Sequence, residues 1–400
     1  MNNKFIIAAA GSGKTTYLIS EAMDVINSGN RNVLITTYTE NNAEEIKKKI
    51  IGKYKYIPSQ ITIQTWFSFL IQHGVRPYQG TFNDSLKEYQ INGMILNNDY
   101  QGTFPVVTKY GKVNLPFSEE KNFLKHYFSK SNKIYSDRLP KFVYKADEAS
   151  DGEVIKRISR IFNYIYIDEV QDLAGYDLDI IGLLFKSDSE VILVGDPRQV
   201  TYITHHEKKN SGYLDGKIKE FIQEKYKTRK EIEKVEIDET KLSKSHRNNK
   251  QICDFSSKLY KSYVPISPCA CQGCRNYNKQ HEGIFLINQQ DVDDYLKKYN
   301  PIQLRWNRTK QINEDYRYYN FGESKGMTFE RVLIYPTDPM EEWIKDHNYK
   351  LTNEARAKLY VAITRARYSV GIIINHSKND SDSLNHYFND ELLLGYEIGN

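Results

Sequence analysis

Nine residues near the start, Ala8-Ala9-Ala10-Gly11-Ser12-Gly13-Lys14-Thr15-Thr16, leave the chain few local conformations. A short apolar run, Phe5-Ile6-Ile7, precedes them, and a helical pattern from Tyr17 to Asn27 follows. Strand, small-residue loop and helix in that order form a cradle for an anion. Small residues let backbone N–H groups wrap a phosphate, and the helix N-terminus adds the positive end of its dipole. In such a cradle Lys14 reaches the terminal phosphates of a nucleotide, and the Thr15 hydroxyl holds Mg²⁺. Gly11, Ser12, Gly13 and Thr16 complete the candidate set. The first Gly of the usual pattern is Ala8 here. A strand–helix turn without a ligand is the alternative, and Gly-Lys-Thr at a helix start argues against it.

A chain of 400 residues is long enough for two or three core-forming units. Hydrophobic residues at 40% and charged residues at 27% suit a globular protein with a wet surface. No run of about 18 apolar residues occurs, so no membrane-spanning helix and no membrane partner are expected. The cradle follows the start directly, so no secretory leader is expected either. Four cysteines are too few for a disulfide framework and fit a cytoplasmic setting. The net charge of +5 is dispersed; it is compatible with a nucleic-acid partner without demanding one.

Strand-like runs alternate with helical patterns along the chain. Val33–Thr37 and Ile61–Gln64 read as strands, and Tyr164–Ile167 and Val191–Val194 as short continuous apolar strands of the buried parallel type. A second rhythm follows, with candidate strands at 284–287, 332–335 and 370–374 and helices at 250–260, 291–298 and 353–364. This alternation predicts an α/β fold: two doubly wound parallel-sheet domains. The expected division is 1–79 with 162–205 for the first domain and 206–400 for the second. Residues 80–161 break the rhythm and read as an inserted, mainly helical subdomain.

Two acids, Asp168 and Glu169, end the Tyr164–Ile167 run. A carboxylate at the C-terminal edge of a parallel sheet faces the ligand crevice. Asp168 would hold Mg²⁺ with Thr15, because that ion takes hard oxygens and keeps several waters. Glu169 would orient the attacking water or take its proton. Gly195-Asp196-Pro197-Arg198-Gln199 ends the next strand, which places Gln199 to sense a γ-phosphate. Arg247 and Arg365, from the second half, are candidate fingers that stabilise charge on a transferring phosphoryl group.

The ordered series resembles the UvrD/Rep/PcrA group of superfamily 1 helicases. Ala8–Thr16, Thr36–Ile46, Thr65–Phe69, Asp168–Asp172, Gly195–Tyr202, Ser245–Asn248, Gly322–Phe329 and Tyr360–Arg367 resemble its motifs in order, across most of the chain. The resemblance implies two RecA-like domains with ATP and Mg²⁺ between them. It implies a helicase or translocase coupling ATP hydrolysis to movement on single-stranded or tailed duplex DNA, usually 3′ to 5′. It assigns strand contacts to Thr37, Thr65, Trp66 and Tyr202, where aromatic rings would stack on bases. Core packing is the alternative for Trp66 and Phe67. It also assigns nucleotide contacts to His246 and Thr328, where the group carries an adenine-stacking Tyr and the Glu of its KGLEF element. DNA repair and antiviral defence are among the settings that such motors serve.

The departures from that pattern carry information. The group's N-terminal adenine-reading Gln motif has no counterpart before the first strand. The Ser324–Thr328 stretch looks closer to the RecD-like branch, which moves 5′ to 3′. Only 77 residues separate Arg247 from Lys325, too few for the group's large second insert. A core so reduced fits a second reading: a nucleic-acid-gated ATPase switch that signals to a partner effector, such as a nuclease. An RNA-acting motor is a third. Finally, Cys269, Cys271 and Cys274, with His281 seven residues on, offer four ligands for Zn²⁺. Three reduced thiols in a polar loop are the alternative.

Overall fold

The structure is a computed structural model that describes residues 3–29, 31–96, 102–109, 111–201, 209–226, 235–274, 281–375, 385–388 and 391–393. The chain gathers into two compact units. Unit 1 comprises Met1–Phe5, Thr15–Val194 and Ile203–Ile237; unit 2 comprises Ile6–Lys14, Gly195–Tyr202 and Asp238–Asn400.

Unit 1 is built on a six-stranded sheet in the order Glu236–Asp238, Lys4–Ile7, Glu190–Gly195, Tyr164–Asp168, Val33–Thr37, Ile61–Thr65. Val33–Thr37 runs parallel to both Ile61–Thr65 and Tyr164–Asp168, and the latter runs parallel to Glu190–Gly195. Every residue of Val33–Thr37 is buried, so this strand reads as a continuous apolar run rather than an alternating one. Helices Lys14–Ser28 and Glu40–Tyr54 follow the first two strands of the chain. The second is capped by Thr39, whose hydroxyl accepts from the Asn42 N–H, and buries Ala43, Ile46 and Ile50. Its neighbours in sequence, Lys47–Glu44 and Lys49–Glu45, pair on the solvent side.

The stretch 80–161 is mixed rather than mainly helical. It carries an antiparallel hairpin, Thr103–Thr108 with Gly111–Pro116, and a short parallel pair, Met94–Ile95 with Ile134–Tyr135. Helices Leu139–Ala149 and Glu153–Ile161 close it. In the hairpin Phe104 pairs with Leu115 and Val106 with Val113, over a span too short and too interrupted by Pro105 and Val107 to register as a strand rhythm in sequence. Phe82, Phe123, Tyr127 and Phe142 pack edge to face, which builds a small aromatic core for this stretch.

Unit 2 holds a seven-stranded sheet: Tyr318–Asn320, Ile302–Arg305, Phe329–Ile334, Ala366–Ile373, Gly283–Ile287, Asn385–Phe388, Glu391–Leu393. All neighbours are parallel except the last pair. Helices Lys250–Ser257, Asp338–Lys345 and Asn353–Ile363 contribute Ile252, Phe255, Trp343, Leu359 and Ile363 to a core shared with Ile284, Val332, Val370 and Ile372. Two strands here, Ile302–Arg305 and Tyr318–Asn320, carry too few apolar residues to have been legible in the sequence. Among the described residues the charge-rich segment 208–234 forms an α-helix at Ile218–Lys225 and a single 3-10 turn at Ser211–Tyr213. Among those residues no helix is long and apolar enough to cross a membrane.

Candidate functional site

Within unit 1, helix Lys14–Ser28 begins where the small-residue loop ends, and Thr15 is its second residue. The Thr15 hydroxyl donates to Asp168 Oδ2 at 3.2 Å. Asp168 is the last residue of its strand and is almost wholly buried. A hydroxyl and a carboxylate oxygen converging at that distance are the hard donors Mg²⁺ takes, with waters filling the rest of its octahedron. Glu169 follows with φ of 56°, in the left-handed region that a non-glycine residue enters at a cost of about 1–2 kcal/mol. Its carboxylate accepts from the Gln171 side chain. The turn thus directs adjacent acids along different paths.

The expected strand contacts divide. Trp66 is fully buried, and its indole N–H donates to Asp177 Oδ1 at 2.7 Å. Phe67 is buried as well, edge-on to Tyr38. Trp66 therefore offers no face to a base; an aromatic residue after a strand is as useful to the core as to a ligand, and the core takes both rings. The Thr65 hydroxyl caps the short helix Trp66–Phe69, accepting from the Ser68 N–H. Thr37 is buried beneath Asn42. Tyr202 lies outside the described residues.

Unit 2 contains the loop Ile6–Lys14 together with the residues expected to respond to the γ-phosphate. Gly11 has φ of 71°, and a Cβ there would lie 2.6 Å from the Arg247 Cβ. Only glycine allows this approach. The His246 N–H donates to the Gly11 carbonyl at 2.9 Å, so the turn carrying Arg247 is laid directly on the loop. Asn248 fixes that turn from behind: its side chain donates to the carbonyls of Thr364 and Ala366 and accepts from Ser245. The Arg247 guanidinium donates to the Thr364 carbonyl at 3.1 Å. The two segments that carry Arg247 and Arg365 are therefore stapled together.

Arg365 is 1% exposed. Its guanidinium donates to Gln199 Oε1 at 3.1 Å and to the carbonyls of Val361 and Met327. Gln199 in turn donates to Asp196 Oδ2 at 2.8 Å. Asp196, fully buried, also accepts from the Tyr360 hydroxyl at 3.0 Å and from Arg198 Nε at 2.6 Å. Arg198 closes the circuit by donating to the Ala8 carbonyl of the loop at 3.2 Å. Burial alone would pull the Arg198 guanidinium down, and Asp196 more than offsets this, holding it charged. Burial likewise pushes the Tyr360 hydroxyl well above its ordinary range, with Asp196 adding to the effect, so it remains a donor. Asp196, Arg198, Tyr360 and Asn248 were not among the residues picked from the sequence as functional. All four lie inside the motifs, but only the tertiary packing distinguishes them from their neighbours.

The last candidate group is rearranged. His246 Nδ1 lies 3.3 Å from Cys274 Sγ and 3.6 Å from Cys271 Sγ, and with Cys269 these form a cluster of ligand atoms all within 4.8 Å of one another. His281 is not in it. That ring is stacked between Phe285 and Tyr299 at 3.7 and 3.8 Å, with Nε2 on the Tyr295 hydroxyl. Burial, and then Arg331 and Lys298, lower its pKa to about 3. Seven residues of sequence proximity to Cys274 lost to an aromatic slot. His246, which the resemblance sets where the group carries an adenine-stacking Tyr, has Nδ1 turned toward the thiols. Thr328 is exposed.

The model of the viral superfamily 1 RNA helicase core domain matches residues 120–374, and that of an AAA domain matches residues 1–205. The chain belongs to the superfamily 1 helicases. Domains of this family use ATP with Mg²⁺. No curated protein matches the chain. Among solved structures, the arterivirus nonstructural protein 10 helicase is 15% identical with a TM-score of 0.43, covering 94% of this chain and 60% of its own. The same arterivirus protein in a complex with DNA is 13% identical with a TM-score of 0.41, over 94% and 61%. The PRRSV helicase is 14% identical with a TM-score of 0.40, over 98% and 58%. The chain thus spans about 60% of the length of those proteins. The family match, not these distant likenesses, carries the assignment.

Proposed function

We propose that this helicase is an ATP-driven motor on single-stranded nucleic acid, with two RecA-like domains whose closure around ATP completes the hydrolytic site. The observation that carries this reading is the continuous path Arg365–Gln199–Asp196–Arg198–Ala8. It ties a finger arginine, a γ-phosphate sensor and the phosphate loop into one buried network. A change at the phosphates must be felt by the Tyr360–Arg367 segment, because buried hydrogen-bonded networks rearrange as units.

Each residue then has a task. Backbone N–H groups of Gly11–Thr16 and the Lys14 ammonium bind the phosphates. Thr15 and Asp168 hold Mg²⁺, which when bound neutralises charge on the β- and γ-oxygens. Glu169 orients the attacking water and accepts its proton, and Arg247 and Arg365 stabilise charge on the phosphoryl group. DNA as the track and 3′-to-5′ movement follow from the likeness to the UvrD group. The match to a viral RNA helicase core favours a second reading, RNA as the track, and the Ser324–Thr328 pattern favours 5′-to-3′ movement. A nuclease-type partner remains the reading for a core with so short a span between Arg247 and Lys325.

ATP hydrolysis with single-stranded DNA, single-stranded RNA or neither, beside a Glu169→Gln control, tests the proposal. Stimulation by one strand type, lost in the control, supports it and names the track. Tight ATP binding with no stimulation by either would overturn the motor. Displacement of a labelled strand from 3′- and 5′-tailed duplexes then separates the two polarities, and separates a motor from a switch.

A further inference from the structure

We propose that His246 Nδ1 and the Sγ atoms of Cys269, Cys271 and Cys274 bind one structural Zn²⁺, and that this ion clamps the turn carrying Arg247 onto the phosphate loop. The spacing of the ligand atoms is the first argument. With Zn–S near 2.3 Å and Zn–N near 2.0–2.1 Å, a tetrahedral site separates nitrogen from sulfur by about 3.6 Å. The two nitrogen–sulfur distances are 3.3 and 3.6 Å. Four protein ligands close the coordination sphere, which is the arrangement of a structural rather than a catalytic zinc.

The backbone supplies the second argument. Lys244–Ser245 pairs in parallel with Ser267–Pro268, and the Cys269 N–H donates to the Ser245 carbonyl at 2.9 Å. His246 and Cys269 are therefore brought together by a ladder, not by the reach of flexible side chains. Cys271 and Cys274 close a tight turn through the Cys274 N–H and the Cys271 carbonyl. All the cysteines are unbridged, so their sulfur atoms are available as ligands. Three thiolates, one neutral imidazole and Zn²⁺ leave one net negative charge.

The clamp follows from chain order and rests on the role proposed above for Arg247. His246 would be a ligand on its side chain while its N–H holds the Gly11 carbonyl. Arg247, the next residue, touches Gly11. Loss of the ion frees the residue whose backbone N–H joins the turn carrying Arg247 to the loop.

The test uses the full chain purified under reducing conditions. Inductively coupled plasma mass spectrometry is expected to find about one zinc per chain. Cobalt-substituted protein is expected to show thiolate-to-cobalt charge transfer and the intense ligand-field bands of a tetrahedral site, a readout that needs no variant. His246→Ala and Cys274→Ser are expected to weaken zinc binding by at least the roughly 100-fold that loss of an outer-shell partner can cost, and His281→Asn to leave the stoichiometry unchanged. No bound zinc after reconstitution, a cobalt spectrum without thiolate bands, or zinc lost with His281 but kept without His246 would each overturn the site. Chelation of wild-type protein should then reduce ATP hydrolysis while a fluorescent ATP analogue still binds; hydrolysis unchanged in metal-free protein overturns the clamp. Zinc-loaded protein with no hydrolysis overturns the nucleotide reading, and the clamp with it, but leaves the metal site standing.

Discussion

Asp196→Asn is expected to cost about 3–5 kcal/mol, the usual effect of breaking a buried ion pair by removing one partner. Asp196 is fully buried and accepts from Arg198, Gln199 and Tyr360. Asparagine keeps the shape, so no cavity opens. It leaves the buried Arg198 guanidinium without its counter-charge, and it turns one acceptor into a donor that faces other donors. Against a typical stability of about 5–15 kcal/mol this is a large share. The measurement is urea denaturation followed by tryptophan fluorescence in a Trp66→Phe background, where the remaining indoles, Trp306 and Trp343, both report on unit 2. Adding Arg198→Met should recover part of the loss, since no orphaned charge remains, with a coupling of about 0.5–3 kcal/mol. Gln199 also loses its anchor, so ATP hydrolysis should fall while ATP binding persists. A loss under about 1 kcal/mol, or strict additivity in the double variant, would refute the reasoning.

Gly11→Ala should abolish tight nucleotide binding, because the added methyl meets Arg247 at 2.6 Å and the left-handed backbone is itself strained; equilibrium binding of a fluorescent ATP analogue checks this. Glu169→Gln should lower the hydrolysis rate by roughly 10²–10⁴-fold with ATP affinity retained, if the carboxylate serves the water; single-turnover kinetics gives the answer. Trp66→Phe should destabilise unit 1 by about 1–3 kcal/mol, through loss of the buried indole hydrogen bond to Asp177, and leave affinity for a single strand unchanged; a fluorescence-anisotropy titration showing weakened strand binding would restore Trp66 as a stacking platform. Burial, then Arg157, lowers the pKa of His73 to about 4, below its unfolded value of about 6.5. The stability it contributes is whole above pH 6.5 and is lost as pH falls from there toward 4. Denaturation midpoints across that range should decline, and His73→Gln should flatten the decline.

Much of this molecule was legible in its sequence for a local reason. Val33–Thr37, Tyr164–Asp168 and Glu190–Gly195 are short apolar runs bounded by polar turns, and each became a buried parallel strand with its chemistry at the C-terminal end. The Gly11–Thr16 loop and the Asp168–Glu169 pair stood out in the sequence because phosphate and Mg²⁺ chemistry demand particular residues at fixed local spacing, and the structure brings Thr15 onto Asp168. Tyr318–Asn320 and the Thr103–Pro116 hairpin could not, since their strand character comes from partners rather than from pattern.

Three decisions belonged to the tertiary structure alone. Whether an aromatic after a strand faces a base or the core depends on what packs over it, and Asp177 waiting inside drew Trp66 inward. Which histidine joins the three cysteines depends on a pairing between residues 244–245 and 267–268 that brings His246 to the thiols, while Phe285 and Tyr299 hold His281 away. Which polar residues link the arginines to the phosphate loop depends on burial: Asp196 and Arg198 look like an ordinary turn in sequence and become a paired charge only when water is excluded. The residue types that do chemistry were written along the chain, and the company each keeps was settled by distant segments competing to bury the same apolar surface.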